Sequence, residues 1–418
     1  MLRIKPFAAL RPAPRPSGLA SEVACVPYDV INAQEARTLA EGKPSSFLHV
    51  IRSEIDLPPD TDPHADIVYQ TAVLNFQRFQ AQGILEREPA ECIYLYRQEA
   101  DLRGRRVSQT GVVACCHIDD YANNIIKKHE KTRKEKEDDR TRHMIELRAN
   151  PEPVFFLFRD RPDIKSAIAA DASRPPLYDF VDCNSVRHTV WKCGSPAPYV
   201  DAFRKLPEAY VADGHHRTAS AARAGAHFRS TNHGHTGNEE YNWFLTVLFP
   251  ASELTILPYH RIVRDLAGLS PEQFLERLAS VGTVEPTSQP DPPAPGVFTV
   301  YLGKARGWHR VTIPGSSIDR TDPIRSLDYE LIADRVLTPI LGVGDLRLDK
   351  RIDFVGGIRG WPELEKRVDL GEAAVAFCMH PVTIEQLMAI ADAGHIMPPK
   401  STWFEPKLRS GLLVHTLD

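Results

Sequence analysis

The feature that most constrains this chain is the stretch 210–217, Tyr-Val-Ala-Asp-Gly-His-His-Arg, between an apolar run and an alanine-rich segment. The apolar run ending at Ala212 predicts a strand. The segment 218–224 predicts a helix, and Gly225 is typical of a residue that ends one. The pattern therefore predicts a strand, a tight turn and a helix in immediate succession.

This turn gathers Asp213, Gly214, His215, His216 and Arg217 at a helix N-terminus. Gly214 permits a sharp turn or the close approach of a ligand. Free N–H groups and the helix dipole favour anions there, and Arg217 adds a fork suited to phosphate or carboxylate. The alternative is that Asp213 only caps the helix while the other polar side chains are solvated at the surface. Four polar side chains in five positions exceed what capping requires, so we expect an anion site.

A second informative stretch is the strongly charged segment 119–142. Opposite charges four residues apart, such as Lys134 and Asp138, predict a solvent-exposed helix. His129 and Glu130 fall where a loop enters this helix, and a carboxylate at that position can point into a cleft. A functional role and a solvated surface position both stay open for this pair.

Near the C-terminus, the segment 397–407 begins with two adjacent prolines after its first residue. The prolines rigidify a loop that presents Lys400, Ser401 and Thr402, which are donors suited to a carboxylate or phosphate. An equally open interpretation is that this segment is a tail that packs Trp403 and its aromatic neighbour onto the body.

Composition narrows the class of protein. A chain of 418 residues is long enough for two or three domains, and a formal charge of −4 argues against nucleic-acid binding. We expect no signal peptide, because the N-terminal residues contain no long apolar run, and no apolar run in the sequence approaches the ~20 residues that span a membrane. Seven scattered cysteines, never in a C-x-x-C pair, fit reduced thiols in the cytoplasm. Cys115 and Cys116 lie in an apolar run and are expected to be buried.

Several catalytic and metal signatures are missing from the sequence. It has no P-loop, no G-x-G-x-x-G after a strand, no G-x-S-x-G elbow and no H-E-x-x-H. His233 and His235 occur in a polar stretch, 227–238, without regular ligand spacing. We expect that stretch to be a loop, and metal binding by it stays open.

The predicted fold class is α/β (α+β), because strands and helices alternate along the chain, most clearly in the last third. We predict three regions. Residues 1–110 form an N-terminal α/β region, 111–250 contain the His-Glu and Asp-Gly-His-His-Arg motifs, and 251–418 form a C-terminal α/β domain.

At full length the chain resembles a large prokaryotic family catalogued as a domain of unknown function (family 1015), sometimes labelled ParB-like. The stretches that carry this resemblance are Lys5-Pro6-Phe7, Pro27-Tyr28-Asp29-Val30, His129-Glu130-Lys131-Thr132, Ala212 to Arg217, and Met397 to Pro406. This resemblance by itself implies no activity.

Three motifs in the same order also resemble the free L-serine kinases of the ParB/sulfiredoxin superfamily. They are the His129-Glu130 pair before a charged helix, the turn 212–217, and the loop Pro399-Lys400-Ser401-Thr402. The resemblance implies a ParB/sulfiredoxin-like nucleotide-binding core that uses ATP or ADP to phosphorylate the hydroxyl of serine or a similar hydroxy-amino acid.

The resemblance also implies a role for each motif, consistent with the needs of phosphoryl transfer. Gly214, His215, His216, Arg217 and His129 would bind the nucleotide. Asp213 would hold Mg²⁺, Glu130 would be the general base, and the acceptor would be bound by Lys400, Ser401 and Thr402. The implied partners are nucleotide and a serine-like molecule, with no nucleic acid or membrane.

Two other functions are open. A ParB-like regulatory protein would bind a nucleotide through a related turn without kinase activity, although the chain lacks a basic helix-turn-helix region. A sulfiredoxin-like repair enzyme needs a reactive cysteine in the turn, where this chain has His215.

Overall fold

The computed structural model describes residues 1–14, 18–346, 348–398 and 400–418. Its strands are β1 Ile4–Lys5, β2 Leu10–Pro12, β3 Leu85–Arg87, β4 Tyr94–Leu102, β5 Arg105–His117, β6 Ile126–Lys127, β7 Ala149–Asn150, β8 Val154–Phe158, β9 Tyr178–Val181, β10 Arg187–Lys192, β11 Ala209–Asp213, β12 Trp243–Pro250, β13 Ile256–Leu257, β14 Tyr259–Val263, β15 Thr283–Thr287, β16 Val297–Tyr301, β17 Trp308–Thr312, β18 Ile352–Gly356, β19 Val375–Cys378, β20 Trp403–Phe404 and β21 His415–Thr416. Its α-helices are α1 Leu19–Val23, α2 Ala33–Ala40, α3 Leu48–Ile51, α4 Asp66–Ala81, α5 Ile118–Ala122, α6 Lys134–Leu147, α7 Pro162–Ala172, α8 Ala197–Phe203, α9 His215–Thr231, α10 Pro271–Leu278, α11 Asp328–Ile332, α12 Gly360–Asp369 and α13 Ile384–Asp392. This mixture confirms the predicted α/β class.

Contacts divide the chain into two compact units, one of residues 1–254 with 406–418 and one of residues 255–405. The predicted boundary near residue 250 falls close to the point where the chain leaves the first unit. The predicted boundary at residue 110 falls inside β5, which pairs with β4 on both sides of that point. Residues 1–110 and 111–250 therefore contribute strands to the same sheet and are not separate regions.

The first unit is built on a nine-stranded sheet with the order β6-β11-β8-β12-β5-β4-β10-β9, and β1 pairs with β5. Strand β8 reads Val-Phe-Phe-Leu-Phe and is buried at every position. An uninterrupted apolar run of this kind is typical of a strand that is covered on both faces. Cys115 and Cys116 are buried in β5, as predicted.

Helix α9 is longer than the sequence predicted, because it continues through Gly225 to Thr231. The predicted helix end at Gly225 is wrong. A Cβ at this position would lie 2.5 Å from the carbonyl oxygen of Tyr241 and 2.6 Å from Cδ1 of Ile118. The glycine therefore permits close packing against the helix and does not terminate it.

The second unit contains a six-stranded antiparallel sheet with the order β15-β17-β16-β19-β14-β18. Helices α12 and α13 alternate with β18 and β19 along the chain, as the last third of the sequence predicted. Within the described ranges, no helix of either unit is both long and apolar enough to cross a membrane.

Candidate active site

Two of the three sequence motifs meet at one edge of the large sheet. Strands β6 and β11 are parallel neighbours, with Tyr210 paired with Lys127. Because parallel strands end at the same edge of a sheet, the loop after β6 and the turn after β11 emerge side by side. The first carries His129 and Glu130, and the second begins at Asp213.

The turn after β11 is shaped by a register shift and a glycine. The pairing of β11 with β8 shifts between Val211 and Asp213, which is a local irregularity of the kind that redirects side chains near active sites. Gly214 then adopts φ 88°, in the left-handed region. A Cβ on this residue would also lie 3.1 Å from Nε of Arg217, so the position favours glycine for two reasons.

Asp213 faces two cations. Its Oδ2 accepts a hydrogen bond of 3.2 Å from Nζ of Lys407 and lies 3.7 Å from a guanidinium nitrogen of Arg217. Burial alone would raise the pKa of Asp213, but the charges of Lys407 and Arg217 outweigh it and hold the pKa well below its usual range. Asp213 is therefore an ionised carboxylate at the start of helix α9.

Glu130 and His215 bring the two motifs into contact. A carboxylate oxygen of Glu130 lies 3.6 Å from Nδ1 of His215, and the Glu130 side chain is 46% exposed. His215 packs edge-on against the ring of His129, with centroids 4.5 Å apart. Burial, followed by the neighbouring His129, lowers the pKa of His215 well below its ordinary value. Burial also lowers the pKa of His129 to about 4, so both rings are neutral at pH 7.

Arg217, whose fork the sequence predicted to serve an anion site, is buried. It is 2% exposed, and one terminal nitrogen donates a hydrogen bond of 2.5 Å to the carbonyl oxygen of Pro153. Burial works to lower the pKa of Arg217, but the charges of Asp29, Glu152 and Asp213 raise it. Its guanidinium is therefore a buried, fixed positive charge that stabilises the turn.

His216 links the turn to the end of the His-Glu loop. Its Nε2 accepts a hydrogen bond of 3.1 Å from the backbone N–H of Arg133. Burial lowers its pKa, against the opposing effect of Asp29. Because His215 and Arg217 are buried and His216 is bonded, the alternative in which these side chains are solvated at the surface is wrong.

The N-terminus of α9 has the features of an anion site. In the described part of the chain, no side chain caps this helix, and its first helical hydrogen bond runs from Thr218 N–H to the Gly214 carbonyl. The preceding N–H groups of such a helix have no intrahelical acceptor. Within the described part of the chain, Nε2 of His215 and Nε of Arg217 are buried and have no hydrogen-bond partner.

The third motif lies in the second unit. Lys400 is exposed with φ 57°, and its carbonyl accepts a hydrogen bond of 3.4 Å from Arg261. Ser401 is buried and donates a hydrogen bond of 2.8 Å to the carbonyl of Pro398, while Thr402 is half-buried. Pro399 lies outside the described residues. Trp403 and Phe404 form β20, which pairs with β13, and Phe404 is buried, in agreement with the packing interpretation. Substrate binding by Lys400, Ser401 and Thr402 stays a prediction.

The histidine-rich stretch offers no metal centre. His227 belongs to helix α9, and the loop proper begins at Asn232. Nδ1 of His235 lies 2.9 Å from the hydroxyl of Tyr241 and 2.9 Å from a carboxylate oxygen of Glu239. In the residues that the structure describes, no three histidine, cysteine or acidic side chains cluster in a way that could hold a metal ion.

Three residues of the site were missed by the sequence reasoning. Lys407 reaches Asp213 from 194 positions further along the chain. Glu152 is buried and accepts a hydrogen bond of 3.1 Å from the backbone N–H of Tyr28. Asp29 follows on the same short turn and is exposed, and its charge acts on Arg217 and His216. Two signals were available, because the family resemblance had marked the stretch 27–30 and the segment 397–407 ends at Lys407.

The sequence matches the family described as "Protein of unknown function (DUF1015)" over residues 4–330. The chain belongs to this family. The matched range covers the His-Glu loop and the turn at Asp213, and it stops before Lys400. No curated protein matches the sequence.

Solved structures match the chain at low sequence identity. SbnI with a C-terminal truncation, from Staphylococcus aureus, is 11% identical with a TM-score of 0.38, over 72% of this chain and 87% of that chain. A free serine kinase in complex with AMP is 13% identical with a TM-score of 0.33, over 72% and 92%. A conserved hypothetical protein from Pyrococcus furiosus is 13% identical with a TM-score of 0.32, over 72% and 95%.

Proposed function

We propose that this protein is a nucleotide-dependent small-molecule kinase that phosphorylates the hydroxyl of free L-serine or a similar hydroxy-amino acid. The observation that carries the proposal is the convergence of Glu130, His215 and the ionised Asp213 at the uncapped N-terminus of α9. The motif resemblance to free serine kinases points to the same chemistry from the sequence alone.

The donor phosphates are proposed to bind at the start of α9. The backbone N–H groups of His215, His216 and Arg217 lie in the first helical turn, where the helix dipole favours an anion. Gly214 has no side chain that would obstruct the approach of the phosphate.

Asp213 is proposed to hold Mg²⁺. The fit is favourable for two reasons. The carboxylate is ionised, and Lys407 and Arg217 both contact it through the same oxygen, Oδ2. Magnesium usually takes one or two carboxylates together with phosphate oxygens and water, so a single aspartate is sufficient. When bound, the ion supplies charge neutralisation to the phosphates.

Glu130 is proposed to be the general base. It would take the proton of the acceptor hydroxyl while that oxygen forms a bond to the terminal phosphorus. The phosphoanhydride bond then breaks, and the electron pair leaves with ADP from ATP, or with AMP from ADP. Lys400, Ser401 and Thr402 are proposed to hold the acceptor's carboxylate, on the basis of the motif resemblance.

One observation favours a second candidate function, that of a nucleotide-binding regulatory protein without kinase activity. The side chain of Glu130 is 46% exposed, and water at that position competes with an acceptor hydroxyl. The anion site at α9 would serve either function. Product formation therefore separates the two candidates, whereas nucleotide binding does not.

The test is a product assay with ATP or ADP, Mg²⁺ and serine, threonine, homoserine or alanine. Mass spectrometry and phosphorus NMR of the mixture should detect O-phosphoserine together with ADP or AMP. Alanine lacks a hydroxyl and is the negative control, and Asp213→Asn is the inactive enzyme control. Nucleotide binding without a phosphorylated product across the panel would reject the kinase in favour of the regulatory protein.

A further inference from the structure

Lys407 is a site residue that none of the motifs includes. Its Nζ donates a hydrogen bond of 3.2 Å to Oδ2 of Asp213, and its side chain is 16% exposed. The first unit therefore places a lysine from the end of the chain directly on the carboxylate that follows β11.

The backbone around Lys407 is held by a dedicated pair of buried amides. Gln98 of β4 and Gln109 of β5 are opposite each other in the sheet and are 0% and 2% exposed. Nε2 of Gln98 donates to the carbonyl of Lys407 at 2.8 Å, and Nε2 of Gln109 donates to the carbonyl of Pro406 at 3.1 Å. Buried amides are costly unless they are bonded, so these two glutamines fix the place of the lysine.

A second contact holds the chain two residues after Lys407. The guanidinium of Arg409 binds the carboxylate of Asp182, at 3.0 Å through Nε. With its backbone fixed on both sides, Lys407 reaches Asp213 through a long stem with several rotatable bonds. Arg217, the other cation beside Asp213, is bound to Pro153 and is 2% exposed.

We propose that Lys407 is the mobile phosphate-binding lysine of this site, paired with Asp213 without nucleotide and transferred to phosphate oxygens when nucleotide and Mg²⁺ bind. Without nucleotide, the ammonium group competes with a divalent cation for the carboxylate. With nucleotide, the cation takes Asp213 and the ammonium group takes the phosphate, so the two ligands favour each other's binding. This inference rests on the nucleotide site of the proposed function and not on phosphate transfer to serine.

The competition is tested on the full-length protein with Mn²⁺, which uses the same oxygen ligands as Mg²⁺ and is followed by electron paramagnetic resonance. Lys407→Met removes the charge and keeps the length of the side chain. Wild type should bind Mn²⁺ more tightly with ADP than without it, and Lys407→Met should lose about tenfold of that gain, because the ammonium group can no longer take the phosphate. Lys407→Arg keeps the charge and should stay close to wild type. Lys165→Met, at an exposed ion pair with Asp160, is the matched control.

The second measurement is calorimetric titration with ADP and Mg²⁺. Lys407→Met should bind about 10- to 100-fold more weakly than wild type, the effect of losing one charge-assisted hydrogen bond. If Lys407 were purely structural, Lys407→Met and Lys407→Arg would both lower the melting temperature and leave the Mn²⁺ affinity unchanged. That result, or a Lys407→Met variant equal to wild type in both titrations, would overturn this inference and leave the proposed function standing. A wild-type protein that binds neither ADP nor ATP would overturn the proposed function as well.

Discussion

A carboxylate oxygen of Glu130, in the loop after β6, lies 3.6 Å from Nδ1 of His215, the first residue of α9. Because burial keeps the His215 ring neutral, this contact is not an ion pair at pH 7. A protonated imidazole would stabilise the carboxylate and make it a weaker base. A neutral ring leaves Glu130 able to accept a proton from a hydroxyl group.

We expect Glu130→Gln to retain nucleotide binding and lose turnover. The substitution keeps the size of the side chain and removes the base, which typically contributes about 10²–10⁴-fold in rate. Calorimetric titration and the product assay measure the two properties separately. Glu135→Gln, at a side chain that is 81% exposed on α6, is the matched control. Wild-type turnover in Glu130→Gln would reject Glu130 as the base.

We expect Arg217→Met to destabilise the first unit. The buried guanidinium compensates the charges of Asp213 and Glu152, and loss of one partner from a buried charge cluster costs about 3–5 kcal/mol. Urea denaturation at pH 7 measures the free energy of unfolding. Arg223→Met removes an arginine that is 41% exposed and paired with Asp138, and it should cost about 1 kcal/mol or less. Equal stability of the two variants would contradict the supporting role of Arg217.

Local patterns in the sequence were sufficient to predict the strand, turn and helix around Asp213. They also placed His129 and Glu130 in a loop before a charged helix, which begins at Lys134. These features depend on residues close together in the chain, where apolar periodicity and glycine act directly. The contact of the two loops needed one more fact, the parallel pairing of β6 with β11, which periodicity does not reveal.

The partners of the site could not be predicted, because they come from distant parts of the chain. The contact between Lys407 and Asp213 spans 194 positions. The segment 397–407 ends at Lys407, but nothing in its local sequence identifies Asp213 as the partner. The burial of Arg217 was missed because arginine is exposed by default unless its partners are known. The role of Gly225 was missed for the same reason, since its neighbour Tyr241 is identified only by the packing.

We expect Gly225→Ala to destabilise the first unit, although alanine is the better helix former by about 1 kcal/mol. The new Cβ would lie 2.5 Å from the Tyr241 carbonyl oxygen, and overpacking of this kind costs about 1–3 kcal/mol. The control is Ala226→Gly at the next position, which is exposed and should lose about 1 kcal/mol from helix propensity alone. A more stable Gly225→Ala variant in urea denaturation would show that the packing yields without cost.

We expect His143→Gln to reduce the loss of stability on acidification. His143 is buried on α6, and its Nε2 donates a hydrogen bond of 3.0 Å to the Val50 carbonyl. Burial, together with Arg140, lowers its pKa to about 3, whereas the unfolded chain has the ordinary value of about 6.5. Between these values the unfolded state binds the proton and the folded state does not, so stability falls as the pH falls below about 6.5. From pH 7 to pH 5 this linkage removes about 2 kcal/mol from the free energy of unfolding, and Gln, which does not titrate, should abolish that loss.

Urea denaturation of wild type and of His143→Gln at both pH values measures the difference. His227→Gln, at an exposed histidine, should leave the wild-type pH dependence in place. An equally steep pH dependence in His143→Gln would mean that His143 is protonated in the folded protein.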